Sequence, residues 1–315
     1  MRLIFVLVFS LLAWVQAATA DQARVAQLFD ALNMDEIISI MQDEGKLDAV
    51  ATIEIYAERA VDDEVKAQID RIFDKTEMQV VLINLTSENM NDAQIAAATE
   101  FLNSDVGMRA NTLETTARRA ISDDVIEEYA LSQFEDASEL PRYKQFQDLI
   151  TTLDLIDQNT YGAMGAQYVF MRQLTGTDAL GLTDDAITEL LMASEEELRA
   201  GITEWLYGFF NMAYAPLSDA DLATYIAFQK SDAGQALNRS LFAGFNELSV
   251  RHAQKMGAMV AELAQVRDLL APSVLTFSIP PCISGFSLAG IPRLSLSHTS
   301  VRTRSLGRCS LHHNT

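Results

Sequence analysis

A short phrase occurs twice in this chain, and it restricts the fold more than any other feature. Phe101-Leu102-Asn103-Ser104-Asp105-Val106-Gly107 returns as Phe228-Gln229-Lys230-Ser231-Asp232-Ala233-Gly234, without a gap, at an offset of 127 residues. Similar runs precede both copies: Asn91-Asp92-Ala93-Gln94-Ile95 and Ser218-Asp219-Ala220-Asp221-Leu222. The chain is therefore expected to hold two related units. Ile95, Ala98, Phe101 and Leu102 fall on one helical face. Ser104 and Ser231 are then placed to cap the next helix, each hydroxyl accepting a backbone N–H two or three residues on, a contact worth about 1 kcal/mol. Asp105 and Asp232 lie in the first turn, where the helix dipole favours an anion. A glycine inside a helix costs roughly 1 kcal/mol against alanine, so Gly107 and Gly234 predict a close approach of another backbone, such as the preceding helix folding back. An anion at the bared helix N-terminus is the alternative, which Asp105 and Asp232 oppose.

The rest of the body reads as helical, and no alternating strand of convincing length is present. Val25, Leu28, Phe29 and Leu32, then Met34, Ile37, Ile38 and Met41, follow helical spacing with a break at Asn33. Gly45 is expected to separate these from a helix over 47–60. Val65, Ile69, Ile72 and Phe73 start a run expected to continue through Ile83 and stop near Thr86-Ser87. Pro141 is expected to open one long helix with Tyr143, Phe146, Leu149, Ile150 and Leu153 on one stripe and further apolar positions at Ile156, Met164, Tyr168 and Met171. Gly176 and Gly181 flank a loop, Thr183 caps the next helix, and Glu195-Glu196-Glu197 reads as a helix's first turn after Ser194. The expected fold is all-α: two related multi-helix repeats packed as one pseudo-twofold body, 21–140 and 141–268, with a non-helical or disordered tail over 269–315.

With the aromatic, serine and glycine of each phrase in place (Phe101, Ser104, Gly107 and Phe228, Ser231, Gly234), the body resembles the bacterial exported family called domain of unknown function 2059. The resemblance spans about 60–130 and 190–265. It implies an exported helical protein and supplies no catalytic residues.

Arg2, an uncharged run to Ala20 and the closing Ala18-Thr19-Ala20 have the order of a secretory signal, 1–20, with cleavage expected after Ala20. The apolar stretch is shorter than the roughly 20 residues of a spanning helix, so a periplasmic protein is expected, with no membrane association after cleavage. From Asp21 to Asp268 the chain holds all 44 acidic residues and a net charge near −26. Such a surface opposes nucleic acid, whose sequence-independent binding needs Lys and Arg. The body has no cysteine, so packing alone must stabilise it. After Asp268 the composition changes abruptly: no acid, both cysteines (Cys282 and Cys309), three of the four histidines and four of the six prolines. A membrane tail, a His/Cys metal site and a Cys282–Cys309 disulfide are alternatives to a disordered or frameshift-derived tail.

The body lacks a Gly-x-Ser-x-Gly elbow, a zinc motif and nucleotide-binding loops. No catalytic residue, cofactor or metal ligand is expected. Its one histidine, His252, reads as structural, at the surface or partly buried. Glu54, Glu58 and Asp62 at helical spacing are either an exposed acidic stripe or half of a hard-cation site. Trp205, Tyr207, Phe209, Phe210 and Tyr214 form core or line an apolar cavity. The expected function is non-catalytic binding of a small apolar ligand or a protein. The alternatives are an envelope enzyme using carboxylates and a purely structural partner. A binder should show a large apolar cavity near Trp205 or an exposed apolar groove. An enzyme should show converging acids of raised pKa, and a structural partner a large exposed apolar patch.

Overall fold

In a computed structural model of the chain, residues 22–175 and 183–270 are described; the expected signal segment, the loop expected between Gly176 and Gly181 and the expected irregular tail after Leu270 lie outside them. The described residues contain helices and no strand. In order they are α1 (22–31), α2 (Met34–Tyr56), α3 (Asp63–Ile72), α4 (Lys75–Asn89), α5 (Asp92–Leu102), α6 (Asp105–Ala120), α7 (Asp124–Leu131), a short 3-10 turn, α8 (Tyr143–Thr152), α9 (Leu155–Thr175), α10 (Asp184–Tyr214), α11 (Asp219–Gln229) and α12 (Asp232–Leu270).

Small polar residues set most of the boundaries. Asp62 accepts from Val65 N and opens α3, and Asp74 accepts from Glu77 N and opens α4. The Asp74 cap divides the run expected to continue from Val65 to Ile83, and α4 then passes Thr86 and ends at Asn89. Asn91 and Gln94 form a reciprocal capping box on α5. Thr183 and Ser218 cap α10 and α11.

Three other expectations need correction. Gly45 does not interrupt its helix: α2 runs through it, and the missing side chain leaves room for the Phe73 ring, which a Cβ would meet at 2.4 Å. The helix after Pro141 is two helices, because Asp154 takes the left-handed conformation, φ 53°, between α8 and α9. Asn33 does the same between α1 and α2 at φ 54°. Short polar side chains tolerate that conformation better than other non-glycine residues. Glu195, Glu196 and Glu197 lie inside α10 rather than at its start, since the Thr183 cap already begins that helix.

α12 is the central strut: its 39 residues give a length of about 58 Å at 1.5 Å per residue. It packs along α9, α4 and α5 and touches α11, α2 and α3. The buried side chains form three apolar clusters. One gathers Trp205, Phe209, Phe210, Tyr214 and Phe146 from α10 and α8. A second gathers α1, the start of α2, α4, α5 and the first turns of α12. The third lies around α3, α9 and the later half of α12.

The two repeated phrases meet at the seam of the first two clusters. The rings of Phe101 and Phe228 stack with centroids 3.9 Å apart and planes 3° from parallel. Ser104 Oγ accepts from Gly107 N and Ser231 Oγ from Gly234 N, both at 3.1 Å. A Cβ on Gly107 would lie 2.0 Å from the Phe101 carbonyl oxygen, and one on Gly234 2.2 Å from that of Phe228. Each glycine therefore lets the new helix start hard against the last turn of the helix before it.

Candidate functional site

The seam between the two clusters is not filled. A cavity of about 110 Å³ opens there, and α6 and α12 contribute opposed sets of residues to its lining. α6 supplies Asn111, Glu114, Thr115 and Arg118, at the 3–4 residue spacing of one helix face. α12 supplies Leu237, Asn238, Leu241, Phe242 and Phe245. The remaining lining is mostly apolar, apart from Gln229 and the hydroxyls of Tyr214 and Tyr225, and comes chiefly from α2, α8, α10 and α11, including Ile37, Met41, Leu149, Phe209 and Phe210.

Glu114 is the chemical centre of the polar side. Tyr225 Oη donates to Glu114 Oε1 at 2.6 Å, and Tyr214 Oη donates to the same oxygen. No hydrogen bond reaches Oε2 among the described residues. The residue as a whole is only partly buried, but its carboxyl group is enclosed by protein, and that enclosure raises its pKa. The two phenols, which would lower it, only partly offset the burial. Burial first, and then the Glu114 charge, push both phenols well above their usual value.

Arg118 is a different case because its charge is matched. Its Nη1 donates to Glu44 Oε1 at 2.6 Å and its Nη2 to Glu44 Oε2, and Ser122 Oγ donates to Glu44 Oε1 at 2.5 Å. The two side chains are only 10% and 8% exposed. This bidentate pair joins α6 to α2 across one side of the cavity and leaves Glu114 as the one lining charge without an ionic partner among the described residues. Asn111 and Asn238 act as struts, donating to the carbonyls of Ala31 at 3.2 Å and Leu153 at 3.1 Å, where α1 and α8 end.

The eight residues of the repeated phrase lie beside this cavity rather than forming its chemistry. Phe228 lines it, while Ser104, Gly107, Ser231 and Gly234 fix the starts of the two helices that do. Asp105 lies in the first turn of α6, and Asp232 in that of α12, where it accepts from Gln94 Nε2 at 2.9 Å. The aromatic stretch divides. Phe209, Phe210 and Tyr214 line the cavity; Trp205 stays in the core, donating to Glu127 at 2.9 Å. Sequence reasoning missed Glu44, Asn111, Glu114 and Arg118. For the three on α6 a signal was present, a polar stripe at helical spacing directly after a phrase whose other copy continues with leucine and phenylalanine; Glu44 on α2 had none.

Other candidates carry less. Glu54, Glu58 and Asp62 do not share a helix face, because α2 ends at Tyr56, Glu58 has a left-handed backbone and Asp62 is the α3 cap. Among the described residues no group of three or more His, Cys, Asp or Glu is arranged to hold a metal. A depression of about 280 Å³ includes Asp154, Asp157 and Tyr161. It is larger than the cavity but shallow, Asp154 is exposed, and Asp157 is tied to Arg199. Burial and then the Asp157 charge raise the Asp154 pKa. His252 is buried, not superficial, packed against Phe73 with ring centroids 4.6 Å apart, and burial lowers its pKa to about 4. No described helix is long and apolar enough to cross a membrane.

Comparison of the chain with protein-family models, curated proteins and solved structures returns no match.

Proposed function

We propose that this is an exported, non-catalytic binding protein that holds a small apolar molecule, or the apolar end of a larger one, at the seam between its two halves. The observation that carries the reading is the unfilled cavity, to whose lining α6 contributes polar residues and α12 mainly apolar ones. Interiors are normally packed to crystal density, and filling a void of this kind would stabilise the fold, so an open one is a feature to be explained. A dry cavity of about 150 Å³ in another protein binds benzene; on that scale the present cavity of about 110 Å³ takes roughly four to five heavy atoms. Export rests on the signal-like sequence before Asp21, with Arg2, an uncharged run and Ala18-Thr19-Ala20 in that order, and the resemblance to domain of unknown function 2059 points the same way. The paired joints, the two left-handed breaks at Asn33 and Asp154, the two asparagine struts and the Phe101–Phe228 stack support two related halves packed about a pseudo-twofold axis.

The enzyme reading is weaker because the cavity offers one carboxyl held by two phenols, while Glu44 is committed to Arg118. The structural-partner reading would use the exposed apolar residues Val125, Ile126 and Tyr129, which are neighbours within one turn but confined to the eight-residue helix α7.

Titration with n-butanol, followed by amide chemical shifts, tests the proposal. Saturable shifts confined to the residues around the cavity are expected, and Leu241→Phe, which fills the space, should remove them while the protein stays folded. No saturable shift in the unmodified protein, with n-butanol or with n-butylamine of the same length, would end this reading.

A further inference from the structure

The ligand class follows from how charge is distributed around the cavity, and this step rests on the binding function proposed above. Two ionisable side chains of opposite sign line the space. Arg118 is neutralised by the bidentate Glu44 pair, which Ser122 completes. Glu114 has only neutral phenols as partners, both on Oε1. The cavity therefore carries one carboxyl group without an ionic partner among the described residues, set within neutral polar side chains and a mostly apolar, aromatic lining in which seven residues are Phe or Tyr.

We infer that the cavity takes a small organic amine: its ammonium group pairs with Glu114 Oε2, and its carbon chain lies against Leu241, Phe242 and Phe245 of α12. An alkylammonium ion satisfies both sides at once. Its charge compensates a carboxylate that burial alone disfavours, and its carbon chain removes apolar surface from water. Aromatic rings around a cation add a favourable quadrupole contribution. The strongly acidic body, net charge near −26 over 21–268, raises the local concentration of cations and lowers that of anions. An acidic ligand would meet Glu114 with no free positive charge to offset it. A neutral alcohol could accept from a protonated Glu114, and it is the competitor that the test must separate.

The test compares n-butylamine with n-butanol, two probes of the same length, at pH 7 by amide chemical shifts or calorimetry. The amine should bind at least ten-fold more tightly, with shifts confined to residues around the cavity. Glu114→Gln keeps the shape and an acceptor for both tyrosines but removes the charge, and should bring the two probes level. Tyr225→Phe retains the carboxylate and should keep the preference. Leu241→Phe should abolish binding of both, which separates cavity binding from loose association with the acidic surface. Equal affinities in the unmodified protein, or a preference that survives in Glu114→Gln, would overturn the amine inference while leaving the binding cavity intact. Binding of neither probe would remove the cavity reading and this inference together.

Discussion

α6 and α12 begin alike and end as different walls of one cavity. Both open with a serine cap and a glycine seated against the preceding helix, and both place an asparagine seven residues after the serine to brace the end of another helix. At the following inward positions they part: Glu114, Thr115 and Arg118 on α6 stand where α12 has Leu241, Phe242 and Phe245, each pair separated by 127 residues. The shared part is a matter of backbone geometry, which tolerates little change because a carbonyl oxygen lies where a Cβ would be. The unlike part faces open space, so substitution there changes chemistry without disturbing the joint. The α12 wall is that of an ordinary apolar core, and the α6 wall is polar and buries charge.

The largest way to break this comparison is at the buried pair. Arg118→Met should cost about 3–5 kcal/mol, because it leaves the Glu44 carboxylate enclosed without a partner, whereas Glu44→Leu combined with Arg118→Met should recover most of that loss. Denaturant unfolding of the single and double variants measures both. A single variant as stable as the parent would show that the polar wall is solvated and costs nothing to hold.

Next in size is the response to pH, where the two helices carry groups of opposite effect. On α12, burial holds His252 near pKa 4, against about 6.5 when unfolded. Between those values the unfolded chain binds a proton that the folded one refuses, so stability should fall as pH drops from about 6.5 towards 4, by up to about 3 kcal/mol. His252→Gln should flatten that slope. On α6, the raised Glu114 pKa works the other way. Its contribution is fully present below the unfolded value near pH ~4.3 and is lost as pH rises through the folded one. Glu114→Gln should therefore gain on the parent as pH rises. Unfolding midpoints between pH 4 and 8 distinguish the two slopes.

The joints should respond alike. Gly107→Ala and Gly234→Ala each force a Cβ against a carbonyl oxygen and should cost about 1–3 kcal/mol. A large difference between them would show that the likeness of the joints is superficial. Ser104→Ala and Ser231→Ala should cost least, about 1 kcal/mol each in thermal or denaturant unfolding.

Legibility in the sequence follows the distance over which an interaction acts. The all-helical class is written in the apolar spacing, and a serine cap or an Asn91–Gln94 box involves residues three apart. Single-residue breaks were harder. Asp74 and Asp154 look like ordinary surface acids until one end of a helix needs a cap or a left-handed turn, and Gly45 looks like a stop until the Phe73 ring is seen to occupy its missing side chain. The acidic triplet at Glu195 resembles a helix start, yet nothing in its composition prevents α10 from simply running through it.

The cavity lay furthest from what a linear reading can reach. Glu114 meets Tyr214 and Tyr225 across 100 and 111 residues, and Arg118 meets Glu44 across 74. By itself, the sequence determined that the chain is helical, where two of its joints fall and that an acidic body follows a signal-like leader, because periodicity, capping and charge are local or additive. Only the tertiary structure decided that α6 turns its polar stripe into a cavity that the apolar face of α12 also lines, because that depends on which distant helices fill the seam and where they leave it unfilled.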